Sequence, residues 1–346
     1  MKLAVLFFLL YLCVPALNEL RGKGKQGLLR VCYYTLFNPE PRSLNTSLCT
    51  HIIAGFASVT DGVLDLGSDA NKKGYLETTS LKNVDPHLKV LITVGGGGND
   101  NGFSTAFNSF QNRTRFISSV FSVLKKYNFD GLDIDWEFPV WNDFVPKDKE
   151  NFIDFLKEFK AASVLKSFVT KKTPPLLTVA VAAPSVIVQK AYDIPQMSKY
   201  VDFINLMSYD YHDYTWYTPF TGHNSPLFNR SAEKAYFATL NTASSAYYWN
   251  QNGMPKSKIM IGIPTYAHTY ILLDPKYHGL DAPATGSNGD LNFYDVCKFL
   301  SSGGIRVFDN ESLVPYTYSG YDWISYEDQI SIKLKANWIK SQGFGG

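Results

Sequence analysis

The sequence lacks an excess of either charge. Its 33 lysines and arginines face 31 aspartates and glutamates, and the formal net charge is +2 at pH 7. A chain without a basic stripe has no electrostatic reason to bind nucleic acid, so we expect no such partner. Low-complexity tracts are also missing, and 45% of the residues are hydrophobic. This composition is typical of a globular domain with a core of ordinary size.

Long apolar runs are nearly missing too. The one such run extends from Leu3 to Val14, follows Lys2 and precedes the small residue Ala16. It is too short for a comfortable membrane span and has the flanks of a secretory signal peptide, which we predict over residues 1–16. A buried N-terminal helix is the alternative. We therefore expect a secreted, extracellular protein without a membrane span, and a monomer. Four N-x-Ser/Thr sites fit glycosylation on that route: Asn45, Asn112, Asn229 and Asn310.

Cysteine is scarce, with 4 in the chain. Cys13 would be removed with the signal peptide, which leaves Cys32, Cys49 and Cys297. Secretion makes disulfide bonds possible, but an odd number of cysteines leaves one thiol without a partner in the chain.

Runs of strand character alternate with stretches of helical periodicity. The runs that predict strands are Val31–Tyr34, His51–Ala57, Lys89–Val94, Gly131–Trp136, Leu176–Ala182, Val201–Met207 and Lys258–Ile263. Helices are predicted over Phe103–Tyr127, Asp148–Phe168, Asn229–Trp249 and Lys333–Ser341. This alternation predicts parallel βαβ units and an α/β fold, a (β/α)8 TIM barrel within residues 27–346.

The alternation of predicted strands and helices ends after the seventh strand. Residues from about 267 to 326 are rich in Gly, Pro, Asn and Tyr, and we interpret them as an insertion domain of α+β type over the barrel mouth. The chain reaches Gly346 where an eighth strand would start. We therefore expect the eighth strand and the last helix to be missing, and the open barrel to be less stable than a closed one.

The segment Asp130–Glu137 contains the candidate catalytic carboxylates. Alternate side chains of a strand share a face, so Asp133, Asp135 and Glu137 would point into the barrel. Burying several carboxylates raises their pKa values, and a protonated Glu beside an Asp is what a general acid for glycosidic cleavage requires. A metal site for a hard cation and a solvated edge strand are the alternatives.

The pattern D-x-x-D-x-D-x-E over this segment resembles the signature of glycoside hydrolase family 18, the chitinases and chitinase-like lectins. Other segments resemble the family's second, third, sixth and seventh strands: Leu48–Ile53, Thr93–Gly96, Leu206–Asp210 and Gly262–Tyr266. The resemblance implies a TIM barrel, a chitin or chito-oligosaccharide substrate, and no metal or cofactor.

The resemblance also implies a substrate-assisted, retaining mechanism in which the sugar's N-acetyl oxygen attacks the anomeric carbon. Glu137 would protonate the leaving oxygen and then activate water. Asp135 would hold the acetamido N–H, and Asp133 would tune Asp135 by sharing a proton. Tyr209 would orient the acetamido group, and Asp210 would contact the reacting sugar.

Further family positions border the same cleft. Met207 and Tyr266 would line the central subsite, with Gly96 and Gly97 on the strand-three loop. Many relatives have Trp at Gly97, so we expect weaker sugar binding there. Tyr33 and Phe56 match wall positions, although core packing explains them equally well.

The family's pattern of bridges implies a disulfide between Cys32 and Cys49, with Cys297 left single because its family partner lies beyond the eighth strand. His268 could sense pH, since imidazole titrates near neutrality, but an exposed loop position is the simpler expectation. The expected function is that of a chitinase. A lectin that binds chito-oligosaccharides without hydrolysis and an inactive truncated form are the alternatives.

Overall fold

The protein is described from a computed structural model, which covers residues 27–37, 39–141 and 145–346. The signal peptide predicted over residues 1–16 lies outside the described residues.

The central element is a sheet of seven parallel strands. In chain order they are β1 (Val31–Thr35), β2 (His51–Thr60), β4 (Lys89–Gly95), β5 (Gly131–Asp135), β6 (Leu176–Ala182), β7 (Phe203–Met207) and β8 (Ile259–Ile261). Their order in the sheet follows the chain, and the short β3 (Val63–Asp65) pairs antiparallel with β2. All seven predicted barrel strands are therefore confirmed, with bounds shifted by a few residues. The apolar run Val90–Val94 is buried throughout, as expected of parallel strands covered on both faces.

The described α-helices cover the outside of this sheet, except the eighth, which belongs to the inserted segment. They are α1 (Asp69–Ser80), α2 (Phe103–Phe107), α3 (Phe110–Tyr127), α4 (Asp148–Thr170), α5 (Ser185–Ala191), α6 (Ile194–Tyr200), α7 (Thr242–Gln251), α8 (Phe293–Ser301) and α9 (Gln329–Gln342). Aromatic rings fill the space between β5 and helices α2 to α4. Phe107 stacks on Phe155 with ring centroids 4.2 Å apart, and Trp136 stacks on Phe103 at 5.3 Å. The outward face of the carboxylate strand is thus covered, which rules out a solvated edge strand.

Two predicted helices were wrong in extent. The stretch Phe103–Tyr127 divides into α2 and α3, because the Ser109 hydroxyl accepts a hydrogen bond from the amide of Asn112 and begins a new helix. The stretch Asn229–Trp249 holds a short 3-10 helix at Phe237–Thr239 and is α-helical only from Thr242, where Asn241 caps α7 in the same way.

A second sheet is inserted between β8 and α9. Its strands are β9 (Tyr266–Leu272), β10 (Ala284–Gly286), β11 (Leu291–Asn292), β12 (Ile305–Asp309), β13 (Val314–Ser319) and β14 (Asp322–Ser325). They pair antiparallel in the order β10-β9-β14-β13-β12, with β11 beside β9, and α8 packs against this sheet. This is the α+β insertion that the sequence predicts after the seventh barrel strand.

The last residues lie in the seam between β8 and the start of β1. The amide of Leu29 donates to the carbonyl of Gly345, and the amide of Ile261 donates to the carbonyl of Gly346, both at 2.9 Å. A Cβ at Gly345 would lie 2.4 Å from the carbonyl oxygen of Ser257, so this close approach requires glycine. The described residues thus contain a seven-stranded barrel sheet without a formed eighth strand.

Within the same described residues, none of the helices has the length and apolar character that crossing a membrane requires.

A disulfide joins Cys32 on β1 to Cys49, the residue pair that the family resemblance implies. Cys297 on α8 is a free, exposed thiol.

We predict that the double change Cys32→Ser/Cys49→Ser lowers the free energy of unfolding by about 3 kcal/mol, because the bridge closes a short loop with a sequence separation of 17 residues. Urea denaturation followed by tryptophan fluorescence measures the effect. Cys297→Ser is the matched control and should leave the midpoint unchanged. Equal midpoints for the double variant and the unmodified chain would contradict the prediction.

Candidate active site

The site is organised around Asp133, a fully buried carboxylate in the middle of β5. Its Oδ2 accepts hydrogen bonds from the Tyr33 hydroxyl at 2.8 Å and from the Thr93 hydroxyl at 2.9 Å. Its Oδ1 accepts from the Thr178 hydroxyl and from the Asn205 amide. Burial raises the pKa of Asp133, and these four donors oppose that rise because they stabilise the charged form.

Asp135 lies two residues further along the same face and has no such support. Its Oδ1 is buried and accepts no hydrogen bond from the protein. Burial raises the pKa of Asp135 well above its ordinary value, and the charges of Glu137, Asp133 and Asp100 raise it further. A buried acceptor without a donor is costly to leave unpaired, so this oxygen is available to a ligand N–H or to a proton.

Glu137 lies just beyond the end of β5, half-buried at the cleft. Burial raises its pKa, as do the nearby charges of Asp100 and Asp210, while a hydrogen bond from the backbone N–H of Gly97 opposes the rise. A carboxylic acid that keeps its proton to higher pH than usual is suited to donate it to a leaving group.

Asp130, the first acidic residue of the signature, lies at the other end of the strand. Its carboxylate accepts a hydrogen bond from the amide of Val90 at 2.9 Å and pairs with Lys82 at 3.0 Å. These contacts tie β4 and β5 together at the base of the barrel. Asp130 therefore stabilises the base of the barrel and lies at the opposite end of the strand from the cleft.

The cleft is a cavity of about 360 Å³ at the carboxyl ends of the barrel strands, where barrel active sites form. Its lining includes the predicted residues Tyr33, Phe56, Gly96, Gly97, Asp135, Glu137, Met207, Tyr209 and Asp210. Tyr33 and Phe56 are each 40% exposed, which does not fit the alternative that they only pack in the core. The Tyr33 hydroxyl is held inside by Asp133 while the rest of the ring faces the cleft.

The wall formed by the β4 loop requires small residues. Gly96 has φ of 94°, and a Cβ there would lie 2.7 Å from the ring of Phe56, so a larger residue would both strain the backbone and displace that ring. Gly97 is exposed, and a Cβ on it would lie 3.6 Å from Glu137 Oε1. Gly97 therefore places no side chain beside the Glu137 carboxyl group.

A second group of polar side chains links the cleft to the inserted sheet. The Tyr266 hydroxyl donates to Asp210 Oδ1 at 2.6 Å, and His268 Nε2 lies 2.9 Å from the same oxygen. The Nδ1 of His268 donates to the carbonyl of His212 at 2.8 Å. Tyr209 meets Tyr266 edge to face, with ring centroids 6.0 Å apart. Two side chains of β9 thus hold one carboxylate oxygen of Asp210.

The expectation of an exposed loop position for His268 was wrong. The residue lies on β9 and is 3% exposed. Burial opposes its charge, but the hydrogen bonds to Asp210 and to the His212 carbonyl, with the charges of Asp210 and Asp213, outweigh burial and raise the pKa to about 9. Only the pairing of β9 with β14 and the approach of Asp210 create this environment, so the local sequence contains no signal for it.

Sequence reasoning also missed the donors around Asp133. Thr93, Thr178 and Asn205 lie on three different strands, and each occupies an inward position among apolar neighbours. Such isolated polar residues in apolar strands were the available signal. The sequence likewise did not indicate that Phe138, Ala182, Pro184 and Ile187 line the cleft.

No group of three or more His, Cys, Asp or Glu side chains in the described part of the chain is arranged to hold a metal ion. Of the predicted glycosylation positions, Asn45, Asn229 and Asn310 are exposed. The amide of Asn112 donates to Thr105 and Asn108 on the surface of α3.

Residues 30–346 match the family described as Glycosyl hydrolases family 18. The oviduct-specific glycoprotein of Sus scrofa is 36% identical over 321 residues, which are 88% of this chain and 59% of that protein. The chain thus spans less than two thirds of that relative's length.

Two solved structures are similar to this fold. The immunomodulatory active chitinase from Trichuris suis has a TM-score of 0.87 and 35% identity, covering 92% of this chain and 90% of that one. Human YKL-39, a pseudo-chitinase with retained chitooligosaccharide binding properties, has a TM-score of 0.86 and 31% identity, covering 92% and 91%.

The pairing of His268 predicts a pH dependence of stability. Its pKa is raised from 6.5 to about 9 on folding, so the stabilisation is fully present below pH 6.5 and is lost as the pH rises through 9. The groups that face it are Asp210, Asp213, Asp290 and the His212 carbonyl. Urea denaturation across this range should show a steeper loss of unfolding free energy for the unmodified chain than for His268→Gln. His87→Gln, at an exposed histidine, should keep the steep loss. Parallel curves for the unmodified chain and His268→Gln would refute the assignment.

Proposed function

The chain belongs to glycosyl hydrolase family 18, and we propose that it is a secreted chitinase that hydrolyses β-1,4 linkages between N-acetylglucosamine units. The observation that carries this proposal is the contrast along one strand between Asp133 and Asp135. Four donors satisfy Asp133, whereas the buried Oδ1 of Asp135 has none. The acetamido N–H of a bound substrate would provide the hydrogen-bond donor that Asp135 Oδ1 lacks.

The proposed reaction begins when Glu137 donates its proton to the glycosidic oxygen. The sugar that provides the anomeric carbon of this linkage also carries the acetamido group. Its acetamido oxygen attacks that carbon, and the C–O bond to the leaving sugar breaks. Asp135 accepts a hydrogen bond from the acetamido N–H and stabilises the positive charge that develops on the ring formed. Glu137, now ionised, removes a proton from water, which attacks the anomeric carbon. The bond from that carbon to the acetamido oxygen breaks, the acetamido group is restored, and the two successive inversions retain the configuration.

The surrounding residues favour this sequence of steps. Burial raises the pKa of Glu137, which keeps the acid protonated before cleavage. Burial also raises the pKa of the Tyr209 hydroxyl, so that it remains a donor at all working pH values and can orient the acetamido group. The Tyr266 hydroxyl and His268 hold Asp210 at the mouth of the same cleft.

A lectin that binds chito-oligosaccharides without hydrolysis is the second candidate. The likeness to human YKL-39, a pseudo-chitinase with retained chitooligosaccharide binding properties, favours it. The exposed Gly97, where the wall of the cleft carries no side chain, would weaken binding in either case. Retention of Glu137 favours the enzyme, since a lectin has no need of the acid.

We predict that Glu137→Gln lowers kcat for a fluorogenic chitobioside by about 10²–10⁴-fold, the range that a general acid contributes, while chito-oligosaccharide affinity by calorimetry stays within a few-fold. Glu150→Gln makes the same chemical change at an exposed position on α4 and should keep full activity. Absence of turnover by the unmodified chain together with retained oligosaccharide binding would establish the lectin. Equal rates for Glu137→Gln and the unmodified chain would overturn the mechanism.

We predict that Asp135→Asn lowers kcat by about 10²–10³-fold with a smaller change in KM, because the lost negative charge stabilises the transition state more than the bound substrate. Steady-state kinetics with the same chitobioside measures both constants. The control is Asp61→Asn, at an exposed turn residue that directly follows β2. A change confined to KM would show that Asp135 only binds the sugar.

A further inference from the structure

A second concavity lies at the base of the barrel, at the opposite end from the cleft. It is a groove of about 1020 Å³, bordered by the residues where the barrel strands begin, including Arg30, Lys89 and Leu176. The ends of helices α3 and α4 form its other wall. We call this the base groove. No step of the proposed reaction uses it.

The rim of the base groove is strongly basic. Five cationic side chains line it: Arg30, Lys89, Lys125, Lys166 and Lys172. The only carboxylate among its lining residues is Asp130, which already pairs with Lys82 at 3.0 Å and Lys89 at 3.8 Å. The chain as a whole has a net charge of only +2, so this local excess is a property of the groove and creates a positive potential there.

Two of these cations have no side-chain partner in the described part of the chain. Lys125 and Lys172 are exposed, and their ammonium groups make no hydrogen bond or ion pair with any described residue. Lysines near a helix C-terminus can offset the helix dipole, which explains Lys125 at the end of α3. Lys172 follows the end of α4 and lies outside the helix. Arg30 and Lys89, in contrast, have partners: Arg30 donates to the carbonyls of Leu48 and Ser47, and Lys89 pairs with Asp130.

Apolar side chains accompany the charges. Phe121, Leu124 and Phe129 form a floor to the groove, and the Lys166 ammonium lies 4.4 Å from the centre of the Phe121 ring. An apolar floor under a basic rim matches a ligand with both an apolar part and an anionic part.

The end of α4 adds an exposed apolar tip beside the groove. Leu165, Phe168 and Val169 are 48%, 85% and 72% exposed. Their spacing of three and four residues places them on one face of the helix, while Lys166, Ser167 and Thr170 of the same turns line the groove. A cluster of exposed large apolar residues flanked by lysines is unusual on a soluble surface.

We propose that the base groove and the α4 tip together dock on an anionic phospholipid surface. Lysine and arginine side chains would contact the phosphate and carboxylate head groups, and Phe168 and Val169 would enter the boundary between head groups and acyl chains. A soluble polyanion fits the charges but leaves the exposed apolar tip without a partner. The lipid surface accounts for both features, and the cleft at the other end of the barrel would remain open to solution.

Vesicle co-sedimentation tests this proposal with the full chain. Phosphatidylcholine vesicles are compared with vesicles of phosphatidylcholine mixed with phosphatidylserine. We expect the chain to sediment only with the mixed vesicles, and the bound fraction to fall as NaCl screens the charges. Equal sedimentation with both vesicles, or none with either, would overturn the proposal.

Two double variants separate the charged and the apolar contribution. Lys125→Gln/Lys172→Gln should weaken binding about 30-fold, from the usual contribution of two basic side chains near an anionic surface. Phe168→Ser/Val169→Ser should weaken it about tenfold through lost apolar burial. Matched controls make the same changes elsewhere on the surface: Lys276→Gln/Lys333→Gln and Phe110→Ser/Ile305→Ser, all at exposed positions. These controls should bind within twofold of the unmodified chain.

A soluble polyanion, dextran sulfate, provides the competing outcome. If the Phe168→Ser/Val169→Ser variant binds vesicles as tightly as the unmodified chain, and dextran sulfate abolishes vesicle binding of both equally, the groove is a polyanion site and the lipid proposal fails. Chitobioside hydrolysis is measured for every variant as a separate readout. The lipid proposal does not depend on that activity, so a chain that binds vesicles without hydrolysing chitobioside would contradict only the proposed function. A chain that hydrolyses chitobioside without binding vesicles would contradict only the lipid proposal.

Discussion

Burial of the Asp133 carboxylate inside the barrel imposes the constraint on which the site depends. A carboxylate without solvent is tolerated only when hydrogen bonds replace its hydration. The four donors come from β1, β4, β6 and β7, through Tyr33, Thr93, Thr178 and Asn205. No pair of adjacent strands could supply them all. The curvature of the sheet and the register of its strands must both be correct before Asp133 is satisfied.

Asp135 and Glu137 follow Asp133 at alternate positions toward the mouth of the barrel. The four donors of Asp133 do not reach Asp135 Oδ1, and Glu137 accepts a hydrogen bond from the backbone N–H of Gly97 instead. The barrel holds Asp133 rigidly and leaves Asp135 Oδ1 unpaired, which is the arrangement expected where folding stability is traded against chemistry.

The two ends of the barrel differ in charge as well as in shape. Acidic residues gather at the carboxyl ends of the strands, where Glu137 and Asp210 face the cleft. Cations gather at the base, where Lys125 and Lys172 have no side-chain partner among the residues that the structure describes. Asp130 shows how one sequence motif serves both ends: it anchors β4 to β5 at the base, while the acids later in the same motif reach the cleft.

The strand pattern and the positions of the acidic residues could be predicted from the sequence alone, because period-two alternation and the spacing from Asp130 to Glu137 are local properties. The seven barrel strands, the insertion after them and the Cys32–Cys49 pair were all predictable on those grounds or from the family resemblance. The tertiary structure alone decided what surrounds each group. His268 is buried beside Asp210 although the two residues are 58 positions apart in the sequence (268 − 210). No local pattern predicts this contact, because it joins the inserted sheet to the barrel. The helix predicted over Asn229–Trp249 was too long because capping by Asn241 and contacts of the preceding turns outweigh periodicity. The base groove is likewise invisible in a nearly neutral composition, because its cations come from separate elements that only folding brings to one end of the barrel.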